Sequence, residues 1–140
     1  MIKIKKSTKK GISALSDKLW GDAITKHYGS QVSWIKKDFI FNATENQEII
    51  GIVEGKFEAG VLYINDLAVS EDYRGKGIGK ALLKKAEDFG KKMGAHKAHL
   101  ITGKGWDTEE FYKKFGYIKI ADLPNHYLKK DFVIYEKIIV

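Results

Sequence analysis

The chain has 140 residues, with 25 Lys and Arg against 18 Asp and Glu for a net charge of +7, one Pro and no Cys. A length in this range holds one domain with a single core, and the lack of cysteine excludes disulfide frameworks, thiolate metal sites and a cysteine nucleophile. No apolar run approaches the ~20 residues of a membrane span, and Met1-Ile2-Lys3-Ile4-Lys5-Lys6 lacks the apolar stretch of a signal peptide, so the expectation is one cytoplasmic domain over 1–140. The positive balance attracts polyanions in general, whether nucleic acid, an acidic protein or a phosphate-rich cofactor.

Ile2 and Ile4 alternate with lysines, which predicts a short first strand. Ile12, Leu15, Leu19 and Ala23 recur at helical spacing, and Gly21 predicts a break between two short helices. Ser33–Asn42 and Glu48–Phe57 read as strands joined by a polar turn at 44–47, and the turn Glu58-Ala59-Gly60 leads into an apolar strand, Val61–Val69. The strongest helix follows, with Ile78, Leu82, Ala86, Phe89 and Met93 on one face and Gly94 placed to end it. A strand over Ala98–Thr102 precedes a short helix, Thr108–Phe115, with Asp107 as its cap and Gly116 as its stop. Tyr117–Ala121 and Phe132–Ile139 supply the last strands. The alternation of strands and helices in the second half predicts an α/β or α+β fold built on a mixed sheet with helices on both faces.

The most informative stretch is the turn after the apolar strand, Arg74-Gly75-Lys76-Gly77-Ile78-Gly79-Lys80, which opens the amphipathic helix. Alternate glycines let backbone N–H groups face inward, and a helix start adds unpaired donors and the positive end of the dipole. Such a turn is expected to hold a phosphate or pyrophosphate, with Arg74, Lys76 and Lys80 adding charge; the alternative is a glycine-rich turn that only joins strand to helix. The P-loop pattern fails, because counting back from Gly79-Lys80 puts Arg74 at its first glycine and Ala81 at its hydroxyl. The dinucleotide pattern fails as well: Lys80 stands where Gly75 and Gly77 require a third glycine, and Leu82 where Gly77 and Gly79 require one.

Arg74-Gly75-Lys76-Gly77-Ile78-Gly79 resembles the Arg/Gln-x-x-Gly-x-Gly/Ala motif of the GNAT family of N-acetyltransferases, with Leu67-Ala68-Val69 ending the preceding strand as in that family. Phe111-Tyr112-Lys113-Lys114-Phe115-Gly116-Tyr117 resembles a second family segment, Leu-Tyr-x-x-x-Gly-Phe. The resemblance covers residues from about 36 to 120. It implies a mostly antiparallel sheet of six to seven strands and acetyl-CoA as cosubstrate, held at Leu67, Ala68 and Val69 and over Arg74, Gly75, Lys76, Gly77, Ile78, Gly79 and Lys80. The pattern departs at Gly105, where the family often carries an Asn, and at Leu100, where some members keep a catalytic Glu.

Amine acetylation needs a free-base amine, stabilisation of a developing oxyanion and a proton for the leaving thiolate. Tyr112, one position from the Phe111/Phe115 stripe, is the candidate donor of that proton, with a packing tyrosine as the alternative. Asp66, an acid inside an apolar strand, is the candidate base if burial raises its pKa; a substrate-amine anchor, or a bulge residue that meets water, is the alternative. His96 and His99 have no nearby acid at metal-ligand spacing and read as surface or edge residues, His126-Tyr127 as candidate lining of an acceptor pocket, and the three tryptophans as core or rim aromatics. The leading expectation is direct transfer from acetyl-CoA to an amine of a small molecule or protein, without metal. A non-catalytic acyl-CoA-binding module is the alternative, nucleic-acid binding is disfavoured because the lysines form no aromatic-interleaved stripe, and the oligomeric state, a homodimer included, stays open.

Overall fold

The computed structural model describes all 140 residues, and contacts divide them into two compact units, Met1–Trp34 and Ile35–Val140. The first unit is built on one 20-residue helix, α1, Lys9–Tyr28. The Thr8 side chain caps it by accepting from the Gly11 N–H at 3.0 Å, and Gly29 ends it in the left-handed conformation. Gly21 therefore does not divide the segment as its sequence position suggests. A lone glycine costs a helix interior about 1 kcal/mol against alanine, too little to break a helix capped at both ends. The expected first strand is also missing: residues 1–7 have no regular structure, and Ile2 and Ile4 are 93% and 97% exposed. Alternation makes a strand only where a neighbouring strand takes up its backbone groups.

The second unit is a six-stranded sheet in the order β1-β2-β3-β4-β6-β5. Its strands are β1 Lys36–Glu45, β2 Glu48–Glu58, β3 Val61–Val69, β4 Lys97–Gly103, β5 Ile118–Leu123 and β6 Phe132–Ile138. Every pairing is antiparallel except β3 with β4, so the sheet is the expected mixed, mostly antiparallel one. Helices α2, Ile78–Met93, and α3, Asp107–Lys114, supply the two connections around β4. Asp107 is the first residue of α3 rather than its cap: Trp106 holds the cap position without a side-chain hydrogen bond.

Both helices pack on the sheet face that carries Val53, Leu62, Leu100, Val133 and Tyr135. The apolar stripe of α2 buries Leu82, Leu83 and Ala86, and Gly90 admits the Leu62 side chain to 3.1 Å of where a Cβ would stand. From α3, Thr108 meets Thr102 of β4 at 2.6 Å and Glu109 accepts from the Tyr135 hydroxyl of β6 at 2.7 Å. Val53, Leu62, Val133 and Tyr135 are wholly buried, so the centre of the core lies under α2 and α3. No helix is long and apolar enough to cross a membrane.

One charged group is buried among these side chains. Glu87 of α2 is 9% exposed, accepts from the Tyr117 hydroxyl at 2.7 Å and pairs with Lys137 of β6 at 3.1 Å. It ties α2 to β6 and to the chain entering β5. Burial, and then the Glu87 carboxylate beside it, push the Tyr117 hydroxyl far above its ordinary pKa and keep it a donor. Glu87→Ala would strand both partners, and the expected loss is roughly 2–4 kcal/mol in denaturant unfolding. Asp88→Ala, which removes the exposed i,i+4 pair with Lys84, should leave the midpoint essentially in place.

Candidate functional site

β3 and β4 pair only at Val61↔Lys97, Leu62↔Ala98 and Tyr63↔His99. Beyond Tyr63 and His99 the two strands diverge, and the main-chain groups of β3 that face β4 lose their strand partner. A cavity of about 580 Å³ opens there, lined by residues 63–67 of β3, 99–102 of β4, and by Trp106, Thr108, Tyr112, Tyr127 and Phe132.

The divergence has a local cause in β3. The register runs Glu54↔Asp66 and then Gly55↔Ile64, so Asn65 is an extra residue, a β-bulge. Gly55 permits it: a Cβ at that position would stand 1.8 Å from the Tyr63 carbonyl oxygen. The bulge keeps Ile64 and Leu67 on the helix-packed face and turns Asp66 to the opposite one, beside Glu54. Asp66 is exposed, which matches the alternative of a bulge residue that meets water rather than a buried acid, because the bulge takes it out of the apolar alternation of the strand. Its carboxyl hydrogen-bonds to that of Glu54, and this bond, with some burial and the Asp66 charge, holds the Glu54 pKa above the ordinary glutamate value.

At the far end of β3 the chain makes one 3₁₀ turn, Glu71–Tyr73, and enters the glycine turn. Arg74 fixes its geometry, since the guanidinium Nε donates to the Val69 carbonyl at 3.0 Å. Gly75 and Gly77 have φ of +76° and +83°, and open space lies where their Cβ atoms would be. Their requirement is conformational, and the space beside them is free for a ligand. Gly77 caps α2 without a side-chain bond, the first turn of the helix holds no acid, and the first helical bond runs from the Ala81 N–H to the Gly77 carbonyl. The N–H groups of Ile78, Gly79 and Lys80 thus meet no acceptor in their own helix, and Lys76 and Lys80 are exposed beside them. Gly79 matters for packing instead, because a Cβ there would come within 3.2 Å of the Phe111 ring; its absence lets α3 close against the start of α2.

α3 brings Tyr112 to the cavity. Its ring is 6% exposed between Phe111 and Tyr117, and no protein group hydrogen-bonds to its hydroxyl. Burial first, and the Asp66 charge second, raise its pKa far above the ordinary tyrosine value. Leu100, at the place of the family's strand glutamate, is a 2% exposed core side chain. Gly105, at the place of its asparagine, has φ +81° and donates its N–H to Glu109.

The structure also brings to the cavity residues that spacing missed. His99 is not a free edge residue: its Nδ1 lies 2.8 Å from Glu136 Oε2, a partner 37 residues away on β6. The sheet register was the only signal for that pair, and it is not written in local spacing. Trp106, 58% exposed, lies over Gly103 and against Phe132, and Tyr127 packs edge-on to Phe132 and beside His126, which makes an aromatic wall. Trp20 and Trp34 are exposed and belong to the first unit.

Residues 12–117 match the family model of the acetyltransferase (GNAT) family. An uncharacterized N-acetyltransferase of Methanocaldococcus jannaschii is 40% identical over 58 residues, 41% of this chain and 26% of that protein, so the match spans about a quarter of its length. Among solved structures, an acetyltransferase from Bacillus cereus superposes with a TM-score of 0.75 at 23% identity, covering 98% of this chain and 97% of its own. The NatC complex bound to Gag peptide and CoA gives a TM-score of 0.63 at 22% identity over 72% of this chain and 71% of the other. At these identities the superpositions speak for the fold.

Proposed function

The chain belongs to the acetyltransferase (GNAT) family, and from that premise we propose that it moves an acetyl group from acetyl-CoA to a primary amine, directly, within a ternary complex. The observation that carries this reading is the succession of three features: the unpaired edge of β3, Tyr112 in the cavity at that edge, and the glycine turn into which β3 leads. The turn supplies amide donors at 78–80, with Lys76 and Lys80 alongside, for the pyrophosphate of the donor. The β3 edge from Ile64 through Leu67, Ala68 and Val69 offers main-chain groups to the amide-bearing pantetheine arm, which adds to the sheet much as a peptide strand does. An arm held there places its thioester near Tyr112.

Chemistry then divides between the two faces of the sheet. Tyr112 comes from the helix-packed side, and its raised pKa keeps it protonated at any working pH. It hydrogen-bonds to the sulfur as charge develops and delivers a proton as the C–S bond breaks. Asp66 stands on the opposite side, where its exposed carboxylate attracts an ammonium group, so anchoring the amine is its role. Trp106 and Tyr127 wall the same opening. The chain has no Cys to carry an acyl-enzyme, and direct attack by the amine needs none.

Three measurements test the reading. Gly77→Val forces a β-branched residue to φ +83° and should weaken CoA binding by roughly ten- to a hundredfold in calorimetry; unchanged affinity refutes the turn's assignment. Tyr112→Phe should lower kcat and kcat/KM together by roughly 10²–10⁴ while CoA still binds, since the hydroxyl acts mainly in the transition state. Near-full kcat would make the hydroxyl structural, and ping-pong kinetics in the wild type would exclude direct transfer.

A further inference from the structure

His99 stands at the point where the cleft begins. It forms the last β3–β4 pair, Tyr63↔His99, and its side chain lies on the sheet face opposite α2 and α3. That face also carries Asp66 and Glu54, so His99 is on the acceptor side of the proposed reaction. Its side chain is 21% exposed and lines the cavity together with Asp66 and Tyr112.

The ring is held from three directions. Glu136 of β6 takes Nδ1 at 2.8 Å, Tyr63 of β3 packs edge-on with ring centroids 5.2 Å apart, and the strand itself fixes the backbone. Glu136 is held in turn by Lys97, whose Nζ lies 3.0 Å from Oε1. Lys56 of β2 sits over the Tyr63 ring at 5.0 Å and is itself paired with Glu58 at 3.0 Å. Burial alone would raise the Glu136 carboxyl, but its hydrogen bonds with His99 and Lys97 outweigh that and hold it below the ordinary glutamate value. Glu136 is therefore an anion throughout the range in which an imidazole titrates. An anion at Nδ1 selects the tautomer with the proton on Nδ1, so Nε2 carries the free lone pair, and it stabilises the imidazolium that forms when Nε2 takes a proton.

We infer that His99, oriented by Glu136, is the general base that deprotonates the acceptor amine, with Asp66 serving to draw the ammonium form into the cleft. The inference rests on the acetyl-transfer reading above. Nε2 removes one proton from R–NH₃⁺, and the nitrogen lone pair so freed forms the C–N bond at the thioester carbonyl. The tetrahedral intermediate collapses with the C–S electron pair passing to sulfur, which takes a proton from Tyr112. The nitrogen gives up a second proton as the amide forms. Of the two protons lost by nitrogen, one replaces that of Tyr112 and the other passes to solvent, leaving the acetamide, CoA–SH and a neutral His99. His99 is catalytic in this scheme, and Glu136 is a positioning residue.

The test compares wild type, His99→Ala and Glu136→Gln by acetylation of a panel: spermidine, Nα-acetyl-lysine amide, a peptide with a free N-terminus, and an aminoglycoside. CoA calorimetry runs in parallel. His99→Ala should lower kcat/KM for the accepted amine by roughly a hundredfold or more and flatten the acidic limb of its pH profile, while CoA affinity stays at the wild-type value. Free imidazole should restore part of the rate, which it does not do for a residue that only packs. Glu136→Gln, close to isosteric, should keep part of the activity and displace the acidic limb, because the charge that steadies the imidazolium is gone. The inference is overturned if His99→Ala keeps its activity and acidic limb. It is also overturned if imidazole restores nothing to a variant that still binds CoA, or if a wild type that binds CoA acetylates none of the panel. A wild type that fails to bind CoA in calorimetry fails at the earlier reading instead, and the two failures are told apart by that titration.

Discussion

The architecture depends on how little of β3 and β4 is paired. A parallel ladder of three residue pairs is enough to join the two halves of the sheet and too short to close it. Everything proposed for the site lies where that ladder stops. Unpaired main-chain groups buried without partners would be costly, so a strand edge left open next to a cavity implies water or a ligand that satisfies it.

Several otherwise unrelated features hold the opening in place. Gly55 tolerates the approach of the Tyr63 carbonyl and so permits the bulge at Asn65. Gly79 lets Phe111 seat α3 against α2 at the mouth of the cleft. Glu87 clamps α2 to Tyr117 and Lys137, and Glu109 clamps α3 to Tyr135, so the helices that flank the gap are fixed to β6 and the entry to β5 rather than to each other alone. The gap is thus built into the packing on both sides, and Tyr112 enters it from an ordered, buried position.

What was legible in the sequence was local. The α2 stripe, its end at Gly94 and the strand Val61–Val69 follow from periodicity and punctuation, and the structure has them with those bounds. The positive φ of Gly75 and Gly77 follows from their place between a strand and a helix start. Where a local signal competed with a longer-range one, it misled: Gly21 lies within a continuous helix, Ile2 and Ile4 find no partner strand, and Asp107 is inside its helix rather than before it. The bulge that exposes Asp66 and the 37-residue link between His99 and Glu136 depend on register between strands, which no window of neighbouring residues encodes. The turn's backbone geometry was therefore readable in advance, and the arrangement on the sheet face that carries Asp66 and His99 was not.

Amide hydrogen exchange measured with and without CoA tests the central claim most directly, because it reports on the backbone groups themselves. The account predicts that CoA slows exchange in two segments, residues 64–69 along the open edge of β3 and residues 75–80 of the glycine turn, and leaves the paired residues 61–63 unchanged. Protection confined to other parts of the chain, or none in either segment at saturating CoA, would contradict it.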